Sequence, residues 1–290
     1  MLSLIIPVYN EQDAVVDTVK RSSDAMTKTG DDFEIIVIND GSSDATQQRL
    51  EEIKETPYLR IITNDKNRGY GAGLKTGIRK SKGNLIATID ADGTYPIEDL
   101  PRLIQILKDK DADMVVGART KKMPKNTITW KIGKIIINFL ANKVAGMKIP
   151  DNNSGMRVFT RELGEKYMHL YPQRFSFTLT ITLAALTDDY RVIFEPIDYF
   201  KRIGKSALTF RHGCGFFGIL LRITTYFRPL KFFLVPGSIL MGAGLATIIS
   251  TIINNSNISD GGLLLLLTGI QVTLFGVLAE VLVRQGRRTR

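Results

Sequence analysis

The sequence predicts an α/β fold: an open, mostly parallel sheet with helices on both faces, followed by two apolar C-terminal helices. Three observations predict it. Residues 1–117 alternate short β-branched runs with helical patterns, and this βαβα rhythm builds parallel sheets between helical layers. The polar residues best suited to chemistry fall just after the expected strands, on the edge where such sheets bind ligands. Beyond residue 230 come two apolar runs long enough to cross a bilayer.

Taken in order, the expected strands are Ser3–Val8, Glu34–Asn39, Leu59–Thr63, Leu85–Ile89 and Met114–Gly117, short runs rich in Ile, Val or Leu. Between them, Asp13–Lys28, Asp44–Lys54, Gly71–Ser81 and Ile97–Asp109 carry helical patterns, with Ser43 or Asp44 placed to cap the second. Phe232–Ile253 has no charged residue and Leu263–Val283 has only Glu280, so each is expected to span the hydrocarbon layer. The loop between them, Asn254–Gly262, carries Asp260 as its only charge. Arg222, Arg228 and Lys231 precede the first run, and Arg284, Arg287, Arg288 and Arg290 follow the second. The positive-inside rule then expects both flanks in the cytoplasm and the loop outside.

A net charge of +10 over 290 residues calls for an anionic partner. No acidic residue lies between Asp113 and Asp151, or from Tyr199 to Phe233, yet both stretches interleave Lys and Arg with Ile, Phe and Leu. That mixture suits lipid headgroups better than a nucleic-acid groove, so a bilayer and no nucleic acid is expected. Phe216–Pro229 reads as an interfacial helix, while Ile128–Met147 fits either a second one or an amphipathic core helix. Cys214 stands alone, which excludes a disulfide framework and a cysteine-based metal site. Residues 1–8 lack the basic start and cleavage site expected of a signal peptide. The expected organisation is a catalytic domain over 1–205, a juxtamembrane region over 206–230 and a hairpin with a basic tail over 231–290.

At the strand ends stand Tyr9, Asn10 and Glu11, then Asp40, then Asn67–Gly73, then Asp90 and Asp92. Two carboxylates one residue apart, as in Asp90-Ala91-Asp92, can share a hard divalent ion together with substrate phosphates. Alone, the triplet also fits a turn with solvated acids. The spacing of Gly69, Gly71 and Gly73 is not the dinucleotide fingerprint.

Together these segments become specific. Ile5–Glu11 (IIPVYNE), Val37–Asp44 (VINDGSSD), Asn67–Gly77 (NRGYGAGLKTG), Ile89–Pro96 (IDADGTYP), Asp113–Arg119 (DMVVGAR), Asp151–Arg161 (DNNSGMRVFTR) and Glu195–Ser206 (EPIDYFKRIGKS) follow one another in order. Through them the chain resembles the family 2 glycosyltransferases of the GT-A fold, above all the polyprenyl-phosphate (dolichyl-phosphate) sugar synthases. The resemblance implies that Pro7, Tyr9, Glu11 and Asp40 hold the base and ribose, with Asn10, Gly69, Lys75 and Ala91 in the same nucleotide-sugar site. It implies that Asp90 and Asp92 serve Mg²⁺ or Mn²⁺ and the diphosphate. Arg119, Lys131 and Arg202, with Lys134, Lys205 and Ser206, would face the acceptor phosphate; Asp92, Arg119, Lys131 and Arg202 are the implied catalytic set. Two positions depart from the family pattern. Thr94 stands where relatives often have Gln, and Gly204-Lys205-Ser206-Ala207 replaces GxSK, leaving Lys205 to supply the lysine from a neighbouring position.

The implied reaction is inverting transfer from GDP-mannose, UDP-glucose or a UDP-N-acetylhexosamine to polyprenyl or dolichyl phosphate at the cytoplasmic membrane face. A homo-oligomer is compatible with it. The alternatives are a family 2 enzyme acting on a hydroxyl, against which the chain has no QxxRW segment, and a non-catalytic membrane adaptor. Arg157 is expected either to touch a substrate or to pair with Asp151; His169 and His212 are given no role.

Overall fold

A computed structural model of the chain describes residues 1–119, 138–139, 141–174, 176–200, 202, 225–226, 229–255 and 257–288. They divide into two compact units, Met1–Ile219 and Leu220–Arg290. The first contains β1 (Leu2–Val8), α1 (Val15–Thr27), β2 (Phe33–Asn39), α2 (Thr46–Glu51), β3 (Leu59–Thr63), α3 (Tyr70–Lys80), β4 (Leu85–Thr88) and α4 (Leu100–Asp109). It continues with β5 (Met114–Arg119), β6 (Arg157–Thr160), α5 (Arg161–Lys166), α6 (Phe177–Thr187) and β7 (Val192–Ile197). Every strand and helix expected up to residue 117 is present, with ends that differ by a turn or less. Neither candidate cap of α2 is its N-cap, which is Ala45, but Asp44 braces the turn before it: its Oδ1 accepts the Thr46 N–H at 3.0 Å.

The seven strands form one sheet in the order β3-β2-β1-β4-β6-β5-β7. All neighbours are parallel except β6, which runs antiparallel to both β4 and β5. Alternation along β1 assigns its two faces. Leu4, Ile6 and Val8 join Val15 and Val19 of α1 and Leu103 and Leu107 of α4 in one apolar core. Ile5 faces the other layer, where α3 comes so close that a Cβ on Gly77 would lie 2.4 Å from it. The register pairs Val8 with Asn39 and Ile5 with Thr88, so the segments after β1, β2 and β4 leave the sheet along one edge. That edge carries the candidate site.

The second unit contains α7 (Pro229–Asn255) and α8 (Asp260–Arg288). Pro229–Asn254 and Asp260–Val283 have mean hydropathies of 2.0 and 2.1, and only 11% and 17% of their most apolar windows are covered by protein. Surfaces this apolar and this bare are long enough to cross a membrane and are unfavourable in water. Both expected spans fall within them. At the start of α7 the Leu230 N–H donates to the Glu280 carboxylate at 3.4 Å, so the acid in the second run caps the first. The expected interfacial helix Phe216–Pro229 and most of Ile128–Met147 lie outside the described residues.

Candidate active site

The loops after β1 and β2 lock together. Asn10 adopts a left-handed φ of 55°, a conformation Asn tolerates better than most residues. Its N–H donates to Ser42 Oγ at 3.0 Å, and its Oδ1 accepts the Ser43 N–H at 2.8 Å. The Glu11 N–H donates to Thr46 Oγ1 at 2.9 Å. Asn10 thus braces the turn, while Tyr9 remains 38% exposed beside it.

Asp40 is buried and its carboxylate fixes the next loop. Its Oδ1 accepts from Asn64 Nδ2 at 2.8 Å and the Arg68 N–H at 3.0 Å; its Oδ2 accepts the Gly69 N–H at 2.6 Å. Gly69, at φ +103°, and Gly71 then let α3 pack against residues 172–174, where a Cβ on Gly71 would lie 2.1 Å from the Pro172 carbonyl oxygen. The Gly71 and Ala72 N–H groups donate to the Arg174 and Gln173 carbonyls at 2.8 and 2.7 Å. Protein carbonyls therefore occupy these first-turn donors, which in a phosphate-binding helix would face the ligand. Lys75 donates from Nζ to the Tyr171 carbonyl at 3.3 Å.

The acidic centre lies at the edge beyond β4. Asp92 Oδ1 accepts the Thr94 N–H at 3.2 Å and the Thr94 hydroxyl at 2.6 Å, so Thr94 orients the carboxylate. Asp92 Oδ2 lies 3.6 Å from the Arg202 guanidinium, which also pairs with Glu11. Among the described residues the buried Arg202 Nε–H has no partner, an open donor suited to an anionic oxygen. Ala91 is tied down through its carbonyl, which accepts the Thr18 hydroxyl at 3.2 Å. Asp90 Oδ1 accepts the Tyr70 hydroxyl at 2.8 Å.

Three carboxylates share this small volume with one arginine between two of them. Burial, against the pull of Arg202 and reinforced by Asp92 and Asp90, pushes the Glu11 carboxyl up to about 7. Burial and then the Asp92 charge push Asp90 up to about 6, against the Tyr70 bond and the charges of Arg119 and Arg202. Among the described residues the centre is short of positive charge. Among the described residues no three His, Cys, Asp or Glu side chains form a closed metal cage. Mg²⁺, however, takes only one or two carboxylates and fills its shell with water and phosphate oxygens, so this donor set fits it.

Arg119 grips Asp151 with both arms of its fork, Nε to Oδ2 at 2.6 Å and Nη2 to Oδ1 at 2.9 Å. Burial works against its charge, but the Asp151 bonds hold its pKa above the ordinary arginine value. Its guanidinium carbon also lies 5.1 Å from the centre of the Tyr199 ring. Of the two expectations for Arg157, the pairing with Asp151 is corrected. Asp151 is bonded by Arg119, and Arg157 is fully buried, donating to the Ser154 and Thr178 carbonyls at 3.2 and 3.1 Å and to Thr182 Oγ1 at 3.1 Å. It acts as an internal strut beneath Ser154. Lys131, Lys134, Lys205 and Ser206 lie outside the described residues. Sequence reasoning missed Tyr70 and Gly155 as neighbours of Asp90; the one signal was the tyrosine among the glycines of Asn67–Gly77.

Comparison with known proteins agrees with this fold. The family described as glycosyl transferase family 2 matches residues 3–168, and one described as the GtrB C-terminal hairpin matches residues 228–284. An undecaprenyl-phosphate 4-deoxy-4-formamido-L-arabinose transferase of Enterobacter sp. (strain 638) is 30% identical over 249 residues, covering 84% of this chain and 73% of the relative. A dodecaprenyl-phosphate galacturonate synthase of Rhizobium johnstonii is 27% identical over 302 residues, covering 98% of this chain and 88% of the relative. Among solved structures, the glucosyl-3-phosphoglycerate synthase of Mycobacterium tuberculosis, in complex with Mn²⁺, UDP and phosphoglyceric acid, shares the fold. Its TM-score is 0.60 at 15% identity, over 77% of this chain and 78% of that one.

Proposed function

The chain belongs to glycosyl transferase family 2, and from that premise we propose that it transfers a sugar from a nucleotide-sugar to a polyprenyl phosphate with inversion at the anomeric carbon. The observation that carries the reading is the meeting of Glu11, Asp90, Asp92 and Arg202 at one sheet edge. The named substrates of the polyprenyl-phosphate relatives supply the acceptor class, and the apolar hairpin provides an anchor in the membrane where such a lipid resides.

Asp92, with Asp90 beside it, would hold Mg²⁺ or Mn²⁺, which supplies charge neutralisation for the departing nucleoside diphosphate. The chain's own residues do the rest. Tyr9 and the braced turn of Asn10 and Glu11 receive the nucleoside, with Asp40 holding the neighbouring loop in place. The acceptor phosphate is already anionic at neutral pH, so its oxygen attacks the anomeric carbon without a general base. Arg202 and Arg119 offset the repulsion between two polyanions and fix the line of approach. For Arg119 this requires part of its fork to leave Asp151. The donor is drawn from GDP-mannose, UDP-glucose and UDP-N-acetylhexosamine, and the basic flanks of the hairpin support a cytoplasmic site.

The test offers membranes containing the chain a panel of labelled nucleotide-sugars with polyprenyl phosphate, with and without Mn²⁺. Metal-dependent label in the organic-extractable lipid is expected from one donor. Label confined to water-soluble glycans, or none from any donor, would overturn the acceptor assignment.

A further inference from the structure

We infer that Tyr70 and Gly155 hold the Asp90 carboxylate from two sides and thereby set how tightly the acidic centre binds a divalent cation. Tyr70 is then a positioning residue, and the inference rests on the metal-assisted reading above. The Tyr70 hydroxyl donates to Asp90 Oδ1 at 2.8 Å. Its backbone opens α3, whose next two N–H groups are bonded to Arg174 and Gln173, so the phenol is carried on a fixed mount.

The opposite wall is equally fixed. A Cβ on Gly155 would lie 2.4 to 2.6 Å from the Asp90 carboxyl atoms, so the carboxylate rests against bare backbone. The Gly155 N–H donates to the Tyr95 hydroxyl at 2.7 Å, and its carbonyl accepts from Thr88 Oγ1 at 2.7 Å. Arg157 holds the preceding Ser154 carbonyl from beneath. Neither wall can follow a displaced carboxylate without breaking these bonds. Hydrogen bonds of this kind orient ligating carboxylates, and losing one typically lowers metal affinity or activity by about 10- to 100-fold.

The test titrates Mn²⁺ alone into the purified full-length chain in detergent, with free Mn²⁺ read by electron paramagnetic resonance. Tyr70→Phe keeps the ring and removes only the hydroxyl; Mn²⁺ affinity should fall about 10- to 100-fold while the metal-free chain still melts cooperatively. Gly155→Ala should act in the same direction, through the opposite wall. In an Asp90→Asn background, Tyr70→Phe should have no further effect, because both changes act on one carboxylate. Tyr167→Phe, which removes a phenol–carboxylate bond to Asp188 elsewhere in the fold, should leave Mn²⁺ binding as it was. Wild-type affinity in both Tyr70→Phe and Gly155→Ala would overturn the inference alone. Absence of Mn²⁺ binding by the unchanged chain would overturn the inference and the metal assignment together.

Discussion

Asp92 bonds to Thr94 and faces Arg202, and both partners belong to the site. Replacing it by Asn preserves shape and the Thr94 bonds while removing the charge on which the proposed cation binding depends. Asp92→Asn should therefore lower transfer by at least about 100-fold while the chain still melts cooperatively. Rate and melting curve measured on the same preparation check this, and near-normal turnover would remove Asp92 from the mechanism. Glu34 is the opposite kind of acid. It is buried in β2 and accepts bonds from Ser3 Oγ, Arg60 and the Lys82 N–H at 2.8, 2.7 and 2.6 Å. Burial opposes its charge, but these bonds hold its pKa below the ordinary 4.5. Because the folded value lies below the unfolded one, its contribution is complete above 4.5 and is lost as the pH falls through the folded value. Glu34→Gln should lower stability at neutral pH by about 1 to 3 kcal/mol. The gap to the unchanged chain should close on the acid side, which melting temperatures across a pH series would show.

At the scale of elements, α3 reverses a common expectation. Alanine usually stabilises a helix relative to glycine by up to about 1 kcal/mol. At Gly71 an added Cβ would meet the Pro172 carbonyl oxygen at 2.1 Å and the Arg174 carbonyl at 3.1 Å, both backbone atoms that cannot swing aside. Gly71→Ala should therefore destabilise the chain by about 1 to 3 kcal/mol, visible as a lower melting temperature; an increase would show that residues 172–174 yield. The glycines of Asn67–Gly77 were legible as a motif, but the reason for Gly69 and Gly71 was not, since it lies in the distant segment 172–174. The elements up to residue 117 could be read because each carries its own local period. The later ones carry little. The helix α6 is apolar nearly all round and shows no stripe, and β6 is four residues long and begins with a buried arginine. For the same reason the strand-end acids were found from position alone. That Arg119 grips Asp151, or that Tyr70 meets Asp90, depends on how the loops fold over the sheet.

Across the whole molecule, the hairpin would give the catalytic fold its proposed access to a lipid acceptor. Its two helices meet along small residues: a Cβ on Gly244 would lie 2.6 Å from the Leu266 nitrogen, and one on Gly269 would lie 2.7 Å from the Met241 nitrogen. Such contacts let backbones approach closely without water to drive them, as membrane helices do. The outer faces present Leu234, Ile239, Ile249, Leu264, Leu274 and Phe275. Basic residues flank both runs, and the loop between them has none, so the proposed topology sends that loop outward and keeps residues 1–219 inside. A cysteine-accessibility experiment reads this directly once the single native Cys214 is changed to Ser. In intact cells a membrane-impermeant maleimide should label Asn257→Cys in the loop. It should label Glu55→Cys, an exposed position in the first unit, only after permeabilisation. The reverse pattern would place the site on the outer face, where a cytoplasmic nucleotide-sugar cannot reach it. Labelling of both positions in intact cells would show that the hairpin does not hold the two units on opposite sides of a membrane.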